Sequence, residues 1–127
     1  MGFIYSCQWE AEGFLGKLPN LLRPRILAEG YHLHAEDEGK QVYIQSDKAL
    51  QKPRRGHFFH RITTEEIMQA MKLTVSYVLT PRKTTVLFTW DNPYGGIAEK
   101  TSWINGLRRR TETLIDYLDD WFNEAHG

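Results

Sequence analysis

Cysteine is almost absent from this 127-residue chain: Cys7 stands alone, so no intrachain disulfide can form, and a reducing, cytoplasmic setting is expected. Net charge is absent too. Sixteen acidic and sixteen basic residues cancel, which argues against a global field drawing the protein to nucleic acid or an anionic membrane. No uninterrupted apolar run approaches the roughly 20 residues that a membrane-spanning helix needs. The opening MGFIYSCQWE lacks the basic segment and apolar stretch of a secretory signal. Repeats, low-complexity tracts, phosphate-cradling loops and nucleophile-elbow serines are likewise missing. Gly95-Gly96 has neither the spacing nor the lysine of a phosphate loop, and the paired acids Glu65-Glu66 and Asp119-Asp120 are sequence neighbours, which suits a surface better than a facing acid–base pair. No reaction, catalytic residue, metal site or cofactor is therefore expected.

What is present is enough for one core. The length suits a single domain spanning residues 1–127. Hydrophobic residues make up 41% of the chain and aromatics 13%, with four tryptophans spread along it, and large rings bury much area per residue.

The apolar pattern has period two over residues 3–9. Phe3, Tyr5, Cys7 and Trp9 share one face, which predicts a strand with a buried structural thiol at Cys7. Residues 10–29 have helical spacing through Phe14, Leu15, Leu18, Leu21 and Leu22, but Pro19 and Pro24 interrupt it. Proline inside a helix removes a hydrogen bond and clashes with the preceding turn, so two short helical pieces are expected, ended by Gly30. A hairpin follows: Tyr31, Leu33 and Ala35 face inward, Asp37-Glu38-Gly39-Lys40 turns, and the return over 40–46 carries Val42 and Ile44 inward. Residues 46–56 are polar and read as an exposed loop, and 57–62 resume strand character. Residues 63–71 carry two readings. Thr63 with Glu66 fits a capping box opening a short helix, while an extended run into Leu73, the reading preferred, would make a strand.

The firmest β signal is LTVSYVLTPRKTTVLFTW, residues 73–90, in which two alternating runs flank Thr80-Pro81-Arg82-Lys83. The breaker cluster at 91–96 ends the sheet. Thereafter Trp103, Ile104, Leu107, Thr111, Leu114, Ile115, Leu118 and Phe122 form a helical stripe edged by Tyr117 and Trp121. A helix over 103–124 would run about 33 Å, long enough to cross a sheet.

This order, carried chiefly by residues 73–90 and the helix after them, resembles the helix-grip fold of the START/Bet v 1-like (polyketide cyclase-like) superfamily over residues 73–124. The resemblance implies an α+β fold in which an antiparallel sheet packs against a long C-terminal helix, with short broken helices after the first strand. It transfers no catalytic residue. The chain is short for that superfamily, which implies a small ligand cavity or none.

In such a fold Tyr77, Phe88, Trp90, Tyr94, Trp103 and Leu107 would line an apolar pocket between sheet and helix, against the plainer reading that they are ordinary core. The function implied is a non-catalytic binding module for an apolar small molecule or a partner protein. The alternative is a homodimeric interaction or chaperone-like domain pairing through an exposed sheet edge. Two further arrangements carry chemistry. His32, His34 and Glu36 would share a strand face, with the imidazoles about 6.6 Å apart by Cα spacing, and could hold a metal if another strand added a ligand; a plain solvent face is the preferred reading. Lys52, Arg54 and Arg55 beside Phe58 and Phe59, together with Arg108, Arg109 and Arg110, combine cations with rings. In a neutral protein such runs are read as solvated faces rather than a nucleic-acid surface.

Overall fold

The computed structural model describes residues 2–45, 71–92 and 101–126. The expected loop at 46–56, the strand at 57–62, the two readings of 63–70 and most of the breaker cluster, Tyr94 included, lie outside these residues.

Within the described residues, period-two alternation becomes strand. Among the described residues the chain forms β1 (Gly2–Glu12), α1 (Leu18–Ala28), β2 (His32–Asp37), β3 (Lys40–Ile44), β4 (Lys72–Leu79), β5 (Lys83–Asn92) and α2 (Thr101–His126). The five strands make one antiparallel sheet in the order β1-β5-β4-β3-β2, so the first strand pairs with the last. The protein is thus an α+β domain with a C-terminal helix, as the sequence led us to expect.

Register sets out the inner face row by row. Trp9 lies opposite Val86 and Val86 opposite Tyr77. Cys7, Phe88, Val75 and Gln41 form a second row, and Tyr5, Trp90, Leu73 and Tyr43 a third. Both helices close this same face: Leu18, Leu22 and Ile26 of α1 and Leu107, Leu114 and Leu118 of α2 join Trp9, Tyr43, Leu73, Val75, Val86, Phe88 and Trp90 in one buried cluster. The opposite face carries Ser6, Gln8, Thr74, Ser76, Thr85 and Thr89 together with Leu87, Val78 and the buried Ile44. The β4–β5 hairpin forms as expected, closed by Thr80, whose backbone N–H and hydroxyl both donate to the Lys83 carbonyl at 2.9 and 2.8 Å.

Four expectations require correction. The segment after β1 is one helix, not two pieces. Pro19 occupies its first turn, where no backbone donor is needed, and Pro24 is held inside it because Leu22 and Ile26 on either side are buried against the sheet. Phe14 lies outside this helix and is 60% exposed.

The phase of β3 is inverted. Gln41 and Tyr43, not Val42 and Ile44, face the helices, since Gln41 pairs with Val75 and Tyr43 with Leu73, although Ile44 is buried as expected. The polar Gln41 is carried inside because every hydrogen-bonding position of its amide is used. Its oxygen accepts from Tyr43 (2.7 Å) and Tyr77 (2.9 Å), and its nitrogen donates to Glu36 (2.9 Å) and to the Pro19 carbonyl (3.4 Å). Arg23 of α1 pairs with the same Glu36 carboxylate, tying α1 to the sheet edge.

The register of β2 shifts between Leu33 and Ala35, a bulge that re-phases the strand. Leu33 faces inward opposite Tyr43, but Ala35 pairs with Val42 on the outer face and Glu36 with Gln41 on the inner one. His32, His34 and Glu36 therefore do not share a face. Cys7, finally, lies on the inner face but is half-buried rather than buried.

Candidate functional site

The two helices do not close the inner face completely. Between α1, α2 and the ends of β3, β4 and β5 lies a cavity of about 310 Å³, with Ile26, Leu73, Trp90 and Leu114 as its apolar surfaces. Glu29, Tyr31, Gln45, Arg109, Arg110 and Thr113 supply its polar lining. Local chain geometry places these groups. α1 ends at Ala28, and the Gly30 N–H closes its last turn by donating to the Leu27 carbonyl (3.0 Å). Gly30 takes φ 96°, in the left-handed region that glycine adopts without a Cβ clash, and so turns the chain to deliver Tyr31 to the cavity.

Trp90 is the fixed element. Its ring is fully buried, Tyr31 packs edge-on against it at 5.9 Å between centroids and 63°, and its indole N–H donates to Thr111 Oγ1 at 2.8 Å. The Thr111 hydroxyl in turn donates to the Leu107 carbonyl one turn back, also at 2.8 Å. No buried polar group is left unpaired along that chain of contacts.

Around the cavity the basic groups differ in their commitments. Arg110 Nη1 donates to the Tyr31 hydroxyl and to Gln45 Oε1 (3.3 Å), and its guanidinium lies 6.0 Å from the Tyr31 ring centroid. Burial pushes the Tyr31 phenol above its ordinary range, and Arg110 holds back part of that rise. Arg25 lies 5.4 Å from the Tyr117 ring centroid, a second clasp between α1 and α2, and pairs with Glu29 at 3.4 Å. Arg108 instead lies over Tyr5, 5.9 Å from its ring centroid, and is not part of the cavity.

Of the residues expected to line a pocket, Trp90 does so. Phe88 and Leu107 are fully buried in the core cluster. Tyr77 is bonded to Gln41 four residues along β4 from Leu73. Tyr94 and the side chain of Trp103 lie outside the described residues. Sequence reasoning missed Tyr31, Gln45, Arg109 and Arg110. For Arg110 a signal existed: it falls three residues after Leu107 and four before Leu114, on the edge of the apolar stripe.

Among the described residues no group of three or more His, Cys, Asp or Glu side chains is placed to hold a metal ion. No described helix is long and apolar enough to cross a membrane.

Fold and site together define an α+β domain whose antiparallel sheet packs against two described helices around a small, polar-rimmed cavity. No protein-family model matches the chain, and neither a curated protein nor a solved structure matches it.

Proposed function

We propose that this domain is a non-catalytic binding module that holds an apolar small molecule between the two described helices and the sheet. The observation that carries the reading is the cavity itself, with Ile26, Leu73, Trp90 and Leu114 packed into its wall beside convergent polar groups. Ligand sites combine these features: apolar walls supply affinity, and a few fixed polar groups orient the guest. At about 310 Å³ the space lies at the low end of the usual range, so the guest is small. Kinship with the START/Bet v 1-like superfamily belongs to the same proposal. It is supported by the order β1-β5-β4-β3-β2 and by the long final helix laid over the sheet. A cytoplasmic location belongs to it as well and rests on the lone Cys7.

The test is a titration of the purified protein with octanol and octanamide, followed by calorimetry and by tryptophan fluorescence. Saturable binding that Leu114→Trp abolishes, by filling the space, supports the reading. Absence of binding by every small apolar probe in the millimolar range overturns it.

A second reading, association of two copies through a sheet edge, is favoured by one contrast. The β2 strand, an edge among the described residues, is short, bulged and charged, all of which discourage strand addition. The β1 edge runs eleven residues and, among the described residues, pairs only with β5. Light scattering across a hundredfold range of concentration tests it, and a constant monomer mass removes it.

A further inference from the structure

The charge around the cavity is lopsided. Arg109 and Arg110 contribute two guanidiniums, whereas the one lining carboxylate, Glu29, is paired with Arg25. Among the described residues neither Arg109 nor Arg110 has an acidic partner. Arg110 is half-buried, and its two hydrogen bonds to protein both use Nη1 and both go to neutral oxygens. A guanidinium has five donors in a planar fork, so most of that capacity is uncommitted. Its position is nonetheless fixed by the Tyr31 hydroxyl and Gln45, which removes part of the entropic cost of forming a further contact. Close by, Ile26, Leu73, Trp90 and Leu114 make the cavity wall apolar.

Resting on the reading above, we infer that the ligand is a small amphipathic monocarboxylic acid, its carboxylate seated on Arg110 and Arg109 and its hydrocarbon body against Trp90, Leu73, Leu114 and Ile26. The guanidinium fork matches a carboxylate in two parallel hydrogen bonds, and a charge-assisted pair away from bulk water is stronger than a neutral one. An amine of the same shape is rejected, because it would meet two cations and a carboxylate that already has a partner. The cavity has room for roughly ten water-sized groups, which suits a medium-chain or single-ring acid and excludes a two-chain lipid.

The experiment compares octanoate with octanamide, two probes of equal size that differ in charge, by calorimetric titration of the wild-type chain and of Arg110→Gln, Arg109→Gln and Arg108→Gln. The expected result is that octanoate binds about tenfold or more tighter than octanamide. That advantage shrinks to within about twofold in Arg110→Gln, falls in Arg109→Gln and is unchanged in Arg108→Gln, and in the first two variants octanoate loses more affinity than octanamide. Arg109→Gln removes no described contact to protein, so it keeps the test decisive if Arg110→Gln fails to fold. Equal binding of the two probes by wild type overturns the carboxylate seat but leaves the apolar cavity standing. An advantage that survives both Arg110→Gln and Arg109→Gln places the anion elsewhere and also overturns it. If neither probe binds, the binding-module reading itself falls.

Discussion

Trp90 and Thr111 meet in the closed interior, both with no exposed surface, and the indole N–H donates to the threonine hydroxyl across 2.8 Å. That contact locks α2 to β5 in one rotation and one translation, because the Thr111 hydroxyl is already committed through its proton to Leu107. It also fixes the indole that forms part of the cavity wall. Thr111→Val keeps the shape and removes the acceptor, stranding a buried N–H; it should cost about 1–3 kcal/mol. Thr111→Ser keeps the hydroxyl and should cost less. Urea denaturation of the two variants checks this, and equal losses would mean that the hydrogen bond contributes nothing.

The Gln41 cluster makes stability sensitive to alkali. Burial pushes the Tyr43 phenol from its ordinary value of 10.0 to about 12 and drives Tyr77 higher still. The folded state therefore resists ionisation of these phenols, whereas the unfolded chain ionises at the ordinary value. Their contribution is fully present below about pH 10 and is lost as pH rises through 10 towards 12 and beyond. Urea midpoints should fall steeply between about pH 9.5 and 11.5, and Tyr43→Phe should flatten that fall. A flat profile over the interval would show that both phenols titrate freely.

The sheet-facing stripe of α2 can be tested at its most buried point. Leu118 has no exposed surface, and Leu118→Asp would place an unpaired charge among Leu114, Trp9 and their neighbours. We expect a loss of about 3 kcal/mol or more in denaturant melts, against about 2–5 kcal/mol for Leu118→Ala through the cavity it leaves. A change below about 0.5 kcal/mol for the aspartate would mean that this face of the helix meets solvent.

How far the sequence foretells this structure depends on whether a feature is set locally. The hairpin of residues 73–90 and the stripe of α2 were legible because each residue's type agrees with its neighbours over several periods. The phase of β3 was not: Val42 and Ile44 look like the helix-facing pair, and only the distant Tyr77 and Glu36 make a buried Gln41 satisfiable. The bulge at His34 adds one residue to β2 and no compositional mark. Pro24 reads as a helix breaker, and only the burial of α1 against the sheet reveals why the helix continues. The cavity was legible in part, through Trp90. Its cationic side was not, since Arg109 and Arg110 resemble any solvated pair of arginines until α1 and Tyr31 are placed beside them.

The central claim is that the space beside Trp90 receives a ligand. Proton–nitrogen and methyl correlation spectra recorded while octanoate is titrated in test it most directly. The account predicts progressive, saturable shifts at the Trp90 indole N–H, the Leu73, Leu114 and Ile26 methyls and the Arg110 side chain, with Leu79 and Val78 at the far end of β4 unmoved. Saturable shifts confined to surfaces away from those residues, or none at all, would contradict it.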